Sequence, residues 1–186
     1  ICAHRGDSSR FRENTIVAIK SAIDSGAAVV EIDVQISKDG KVVVIHDPTL
    51  ERLWGLDRNV SEVNWSEISE LGAGENKVPL LSDVLPLFEN SKSVLMIDME
   101  ESDPAKLAFE VASKSSAKIY WCGDLEGMRI IRSLSESAKI WMPWDVNATV
   151  TAADIVELKP TFINYHYSFL TKSKVEAIHA LGCKVS

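Results

Sequence analysis

The 186-residue chain is 46% hydrophobic and 25% charged, the balance of a globular domain with one sizeable core. No run approaches the ~18 apolar residues of a membrane-spanning helix, and a net charge of −7 disfavours nucleic acid as a partner. An acidic chain can still handle an anionic ligand when a bound cation reverses the local field.

Along the chain, strand and helix alternate. Residues 1–4 predict a strand, and 14–25 a helix with Ile16, Ile19, Ala22 and Ile23 on one face and Gly26 as its stop. Residues 29–34 predict a strand. After a longer irregular stretch, Ser82 caps a helix running to Asn90, and 94–98 is again a strand. Asp103 and Pro104 open the next helix with a cap and a first-turn proline. Strands follow at 118–122, 140–142, 161–164 and 184–186. Helices begin between them near Asp124, Thr151 and Thr171, and Gly182 closes the last one.

About seven β/α units without low-complexity linkers imply a parallel sheet with helical crossovers. No Gly-x-Gly-x-x-Gly fingerprint follows the first strand, which favours a barrel over an open dinucleotide-binding sheet. The expected fold is α/β: a single domain over 1–186, a (β/α)8 TIM-type barrel that stops before its final strand and helix. Open strand edges favour association, so such a chain is expected to form a homo-oligomer such as a dimer, to aggregate, or to be a fragment of a longer ordered protein.

One segment departs from the alternation. Residues 32–36 and 41–46 flank Asp39 and Gly40, a two-residue hairpin signal. With that turn, Lys38 faces Lys41 and Asp33 lies opposite His46, while Glu31 points to the face of Asp33. A slip of one residue would undo the pairing.

His4, Arg5 and Gly6 follow the first strand at what would be the mouth of the barrel, where active sites are built. Histidine moves protons near neutral pH, and arginine can grip an anionic oxygen pair. His46 and Asp47 end another strand at the same rim, so two histidines stand near two carboxylates, a plausible acid–base pair beside a cation. Glu31 and Asp33 offer hard oxygens at i and i+2, suited to Mg²⁺ or Ca²⁺, and Asp98 and Glu100 repeat that arrangement. Asp7, Arg10 and Arg12 read mainly as a charged loop, and His179 as a helix-surface residue. His166 and Tyr167 follow a late strand, and Trp141 and Trp144 flank Pro143 as core residues. Cys2, Cys122 and Cys183 lack metal-ligand spacing and read as buried free thiols, which suits a reducing, cytoplasmic compartment. Because the chain opens at Ile1 inside a strand-like run, a removed leader stays open.

The ordered set His4-Arg5-Gly6, Glu13-Asn14-Thr15, Glu31-Ile32-Asp33-Val34, Asp39-Gly40, His46-Asp47-Pro48-Thr49-Leu50 with Arg52, and Val78-Pro79-Leu80-Leu81 resembles the glycerophosphodiester phosphodiesterases over nearly the whole chain. The resemblance implies a metal-dependent barrel, with residues of about 47–81 as the family's insertion. It implies one divalent cation, Mg²⁺ or Ca²⁺, on Glu31, Asp33 and Asp98, with His4 and His46 as general acid and base and Arg5 and Glu100 at the substrate. A neighbouring hydroxyl of a small glycerophosphodiester would attack phosphorus, giving finally glycerol 3-phosphate and an alcohol such as choline or ethanolamine. The chain departs from the family pattern at Asp98, usually glutamate, at Glu100, usually lysine, and at Arg12, often proline. Two other readings stay open: a barrel that has lost catalysis and binds a lipid head group or partner, and a lysophospholipase D-like enzyme.

Overall fold

The structure, a computed structural model, describes residues 1–142, 151–165, 168 and 170–186. The strands in chain order are β1 Cys2–Ala3, β2 Val29–Ile36, β3 Val42–Val44, β4 Thr49–Leu50, β5 Leu56–Asn59, β6 Gly72–Ala73, β7 Asn76–Lys77, β8 Val94–Met99, β9 Ile119–Gly123, β10 Lys139–Met142, β11 Phe162–Ile163 and β12 Lys184–Val185. The helices are α1 Ile16–Asp24, α2 Glu51–Trp54, α3 Trp65–Ile68, α4 Leu81–Val84, α5 Ala105–Ala112, α6 Leu125–Leu134, α7 Ala152–Leu158 and α8 Lys172–Ala180.

Neighbouring strands of the main sheet run β1-β2-β8-β9-β10-β11-β12, and every pair along that path is parallel. This sequential parallel order, with helices between the strands, is that of a TIM-type barrel. No helix among the described residues is long and apolar enough to cross a membrane.

The helix starts follow from their caps. Thr15 accepts the Ala18 N–H, Asp124 the Gly127 N–H, and Thr151 and Thr171 cap α7 and α8 in the same way. The helix expected over 82–90 is instead the single turn α4 followed by a 3-10 turn, Leu85–Leu87. Pro86 has no N–H to continue the α-helical ladder, and so ends it.

Parallel register sets the two faces of the sheet. Glu31 lies beside Met96, and Asp33 beside Asp98, itself beside Cys122, so these side chains share the barrel-facing side. The alternate residues Val30, Ile32, Leu95 and Ile97 are fully buried in one cluster with Ile19 of α1, Leu81 of α4, Ala105 and Ala108 of α5, and Met128 and Ile131 of α6. Burying one such aliphatic side chain stabilises by roughly 1.5–3 kcal/mol. A second cluster of Val43, Ile45, Leu50, Val60, Val63, Ile68 and Val78 seats the 47–81 segment against β3. Around β11 and β12 the buried apolar cluster among the described residues is Ile163, Ile178 and Cys183.

The hairpin differs from expectation by one residue: Val34 faces Val44 and Ile36 faces Val42. Ser37 takes up Lys41 through its N–H to the Lys41 carbonyl, and its hydroxyl accepts the Lys41 N–H. Lys38, Asp39 and Gly40 thus form a three-residue loop with Gly40 at φ +74°, the arrangement in which a left-handed glycine makes a bulge. Asp33 therefore lies opposite Ile45, whose N–H donates to the Asp33 carbonyl at 3.0 Å, and not opposite His46. Cys2 is a further correction. It is exposed on the edge strand β1, whereas Cys122 and Cys183 are buried.

Candidate active site

The end of β1 turns through two non-glycine residues in the left-handed region, Arg5 at φ +59° and Asn14 at φ +57°. Asparagine tolerates this backbone better than most residues. The turn is clasped by the Asn14 N–H donating to the Arg5 carbonyl at 3.0 Å. Buried Asn14 then brackets Asp33: its amide donates to Oδ2 at 2.7 Å and its Oδ1 accepts the Asp33 N–H at 3.2 Å. The Arg5 N–H donates to Glu31 Oε2 at 2.7 Å. His4 stands beside them with an exposed ring, its Nε2 4.0 Å from Glu31 Oε2.

His46 reaches the same mouth by a bend after β3, since the hairpin register does not put it there. Its Nδ1 lies 2.7 Å from Asp47 Oδ1 and its Nε2 2.8 Å from Glu100 Oε1. The Gln35 amide donates to its carbonyl at 3.1 Å. Arg52 forks between Asp47 and Glu13, with Nη2 donating to Asp47 Oδ1 at 2.8 Å and to Glu13 Oε1 at 2.6 Å. Glu13 also accepts from Arg5 Nη1 at 2.9 Å. Arg5 Nε stands 3.3 Å from Asp33 Oδ2, an ion pair without hydrogen-bond alignment. Asp33, Arg5, Glu13, Arg52, Asp47, His46 and Glu100 thus form one file of alternating sign.

The surroundings push the two imidazoles apart. Partial desolvation and then the charge of Arg5 hold His4 below its ordinary value, against the pull of Asp33 and Glu13. For His46, desolvation acts downward but is outweighed by the hydrogen bond to Asp47 and the charges of Asp33 and Glu100, so it lies above its ordinary value. Asp47 is depressed to about 2, first by Arg52 and also by His46. The barrel-facing carboxyls move the other way. Burial, then Asp33 and Asp98, raises Glu31. Burial raises Asp33 despite Asn14 and Arg5, and burial with Asp33 lifts Asp98 to about 6.

Residues 4–183 match the pattern of the glycerophosphoryl diester phosphodiesterase family. The chain belongs to that family. A glycerophosphodiester phosphodiesterase of Caldanaerobacter subterraneus is 37% identical over 108 residues, 54% of this chain and 44% of that protein. The chain spans about half the length of the curated relatives it matches. Among solved structures, an Oleispira antarctica phosphodiesterase in complex with the product sn-glycerol-3-phosphate superposes with a TM-score of 0.89 at 22% identity, covering 99% of this chain and 81% of that one. A glycerophosphodiester phosphodiesterase of Thermotoga maritima gives 0.82 at 28% identity, covering 97% and 80%.

Set against this family, the structure gathers His4, Arg5, Glu31, Asp33 and, through register, Asp98 on one side of the mouth, with His46 and Glu100 paired to each other. The donors suit a hard divalent cation: Glu31 Oε1 is buried with no hydrogen-bond partner, and burial, then the neighbouring carboxylates, raise Glu31 and Asp98. Their oxygens are not drawn to a common point, and no group of three His, Cys, Asp or Glu among the described residues has the form of a metal cluster.

Asp7, Arg10 and Arg12 act structurally. Asp7 accepts from Ser21 and Ser9 and pairs with Arg10, while Arg12 stacks on Trp54, 4.5 Å from the ring centroid. His179 is exposed on α8. Trp141 is only partly buried, stacked on Phe162 and edge-on to Tyr120. Pro143, Trp144, His166 and Tyr167 lie outside the described residues. What sequence reasoning missed is the support: Glu13, Asn14 and Arg52 stood out only as motif letters, and the Glu100–His46 contact had no local signal.

Proposed function

We propose that this chain hydrolyses glycerophosphodiesters to glycerol 3-phosphate and an alcohol, with His4 as general base and His46 as general acid. The observation that carries the reading is the meeting of two histidines at one barrel mouth in a chain of this family, His4 beside Glu31 and His46 braced at Nδ1 by Asp47. His4, held low, favours the neutral ring that accepts a proton, and His46, held high, favours the imidazolium that gives one. The product in the Oleispira antarctica structure supports the substrate class.

In this reading His4 takes the proton of the substrate hydroxyl that attacks phosphorus, and His46 delivers a proton to the departing alcohol oxygen. The cyclic phosphodiester so formed is opened by water with the two roles reversed, giving the monoester. Asp47 fixes the ring of His46 from Nδ1, and Arg52 holds Asp47 in place. Arg5, next to His4 at the mouth and 3.3 Å from Asp33, is assigned to the phosphate on the family resemblance. Glu31, Asp33 and Asp98 would hold one Mg²⁺ or Ca²⁺. When bound, such a cation offsets negative charge on the phosphoryl oxygens.

The test is release of glycerol 3-phosphate from glycerophosphoethanolamine by the full chain, with Mg²⁺, Ca²⁺ or EDTA present. His4→Gln and His46→Gln should each lower kcat/KM by roughly 10²–10⁴-fold. No release with either cation, or release that survives both substitutions, would sink the proposal.

A further inference from the structure

Arg52 steadies Asp47 and Glu13 from α2, and α2 has little of its own to hold it. It is a single turn of four residues with no fully buried residue and no side-chain cap, and so short a helix does not persist without tertiary support. Its anchor is its last residue, Trp54. The ring packs against the second apolar cluster, and the β6-β7 hairpin closes on it: a Cβ at Gly72 would stand 2.8 Å from ring atom Cζ3. Glu75, between β6 and β7, pairs in turn with Lys20 of α1.

The same ring holds the turn that carries Glu13 and Asn14. The Arg12 guanidinium lies over it, 4.5 Å from the centroid. Arg12 pairs with no carboxylate among the described residues, whereas its neighbour Glu13 is shared by Arg5 and Arg52. The Arg12 carbonyl accepts the Thr15 hydroxyl at 2.7 Å, at the cap of α1. Two contacts, the Arg12 stack and the Glu13–Arg52 pair, thus fix the same two segments against each other. The ionic contact alone is a weak tie, because Arg52 is 48% exposed and an exposed pair of long side chains is opposed by their entropy. A guanidinium laid on a ring face adds the attraction that the pair lacks.

We propose that Trp54, clasped by Arg12, is a positioning residue for His46: it holds Arg52 where one guanidinium spans Asp47 and Glu13. The kinetic consequence rests on the phosphodiesterase reading above; the placement of Arg52 does not. Trp54 Nε1 is buried with no hydrogen-bond partner, so the ring and not its N–H does the holding, and phenylalanine can stand in without losing a bond.

The experiment compares Trp54→Leu, Trp54→Phe and Arg12→Gln with Trp65→Leu, which strips a ring from the same cluster but from α3. Trp54→Leu should lower kcat for glycerophosphoethanolamine by about ten- to a hundredfold with KM little changed, the scale of a displaced catalytic group. Trp54→Phe should restore most of that loss, and Arg12→Gln should fall between the two. Trp65→Leu should lower the urea midpoint and leave kcat unchanged. In an Arg52→Gln background, Trp54→Leu should cost less than about twofold, because the group it positions is already gone. Independently of turnover, NMR follows exchange of the Arg52 Nε proton, which donates to Asp47 Oδ2. That exchange should be slow in the natural protein and in Trp54→Phe, and fast in Trp54→Leu. Equal kcat losses in Trp54→Leu and Trp65→Leu, an undiminished loss in the Arg52→Gln background, or exchange that Trp54→Leu leaves unchanged overturns the inference. If the natural chain releases no glycerol 3-phosphate, the phosphodiesterase reading falls, and the exchange comparison alone decides whether Trp54 holds Arg52.

Discussion

The two flanks of the sheet are built to different depths. On one, β2 and β8 are eight and six residues long, and their outer residues Val30, Ile32, Leu95 and Ile97 are fully buried against several helices. On the other, β11 and β12 are two residues each, and among the described residues the buried apolar cluster beside them is Ile163, Ile178 and Cys183. Glu31, Asp33 and Asp98 stand on the deep flank. Burying a carboxylate costs several kcal/mol unless it is partnered, and this flank has the packing to offset that cost. The charged site and the thick core belong together for that reason.

The comparison can be broken most forcefully at a glycine. Gly123 ends β9 at φ +126°, and a Cβ there would meet the Met99 carbonyl oxygen at 2.0 Å. Gly123→Ala should cost about 3–5 kcal/mol by adding a backbone clash to an unfavourable φ. Gly182, on the shallow flank at φ +79°, has open space where its Cβ would go, so Gly182→Ala should cost only about 1–2 kcal/mol. Equal losses in urea unfolding would contradict the contrast.

A cation sharpens it next. Mg²⁺ at a hundredfold excess over its dissociation constant should stabilise the fold by about 2.7 kcal/mol. Hydrogen exchange should slow in β2 and β8 far more than in β11 and β12. EDTA should reverse the effect and Asp98→Asn should weaken it. Uniform protection, or none, would count against the three carboxyls as its site.

The smallest effect is one of pH. Asp47 is depressed from 3.8 to about 2, so its contribution is complete above pH 3.8 and is lost as pH falls through about 2. Acid titration of stability in the natural protein should exceed that in Asp47→Asn by up to about 1 kcal/mol within that window, because the partners are near solvent. Superimposable profiles would show that the Arg52 fork adds nothing.

Much of the scaffold was legible because strand and helix signals are local. The strand expected over 94–98 follows from its apolar run and extends one residue further, to Met99, and α6, α7 and α8 begin at the Asp124, Thr151 and Thr171 caps that the chain displays. The histidines and carboxylates were legible as a set at strand ends. The hairpin register was not, because Asp39 and Gly40 serve a two-residue or a three-residue turn equally well, and the choice rests on the Ser37 hydroxyl and its bond to Asp39. His46 illustrates the same limit: it comes to the mouth by a bend that no period announces. The contact with Glu100 joins positions 54 residues apart, and only the folded sheet brings them together.

The alternating file from Asp33 to Glu100 bears on how such a site changes over generations. Each interior member serves two neighbours, so reversing its sign strands the charge on either side. Glu13 is shared by two arginines, and Asp47 by an arginine and a histidine, so a sign change at either is expected to need compensation at both of its neighbours. A viable sign change at the end of the file, where Glu100 pairs among the described residues with His46, needs only one accommodation. Variation in this lineage should accumulate at that terminus, and the interior should drift only through compensated pairs.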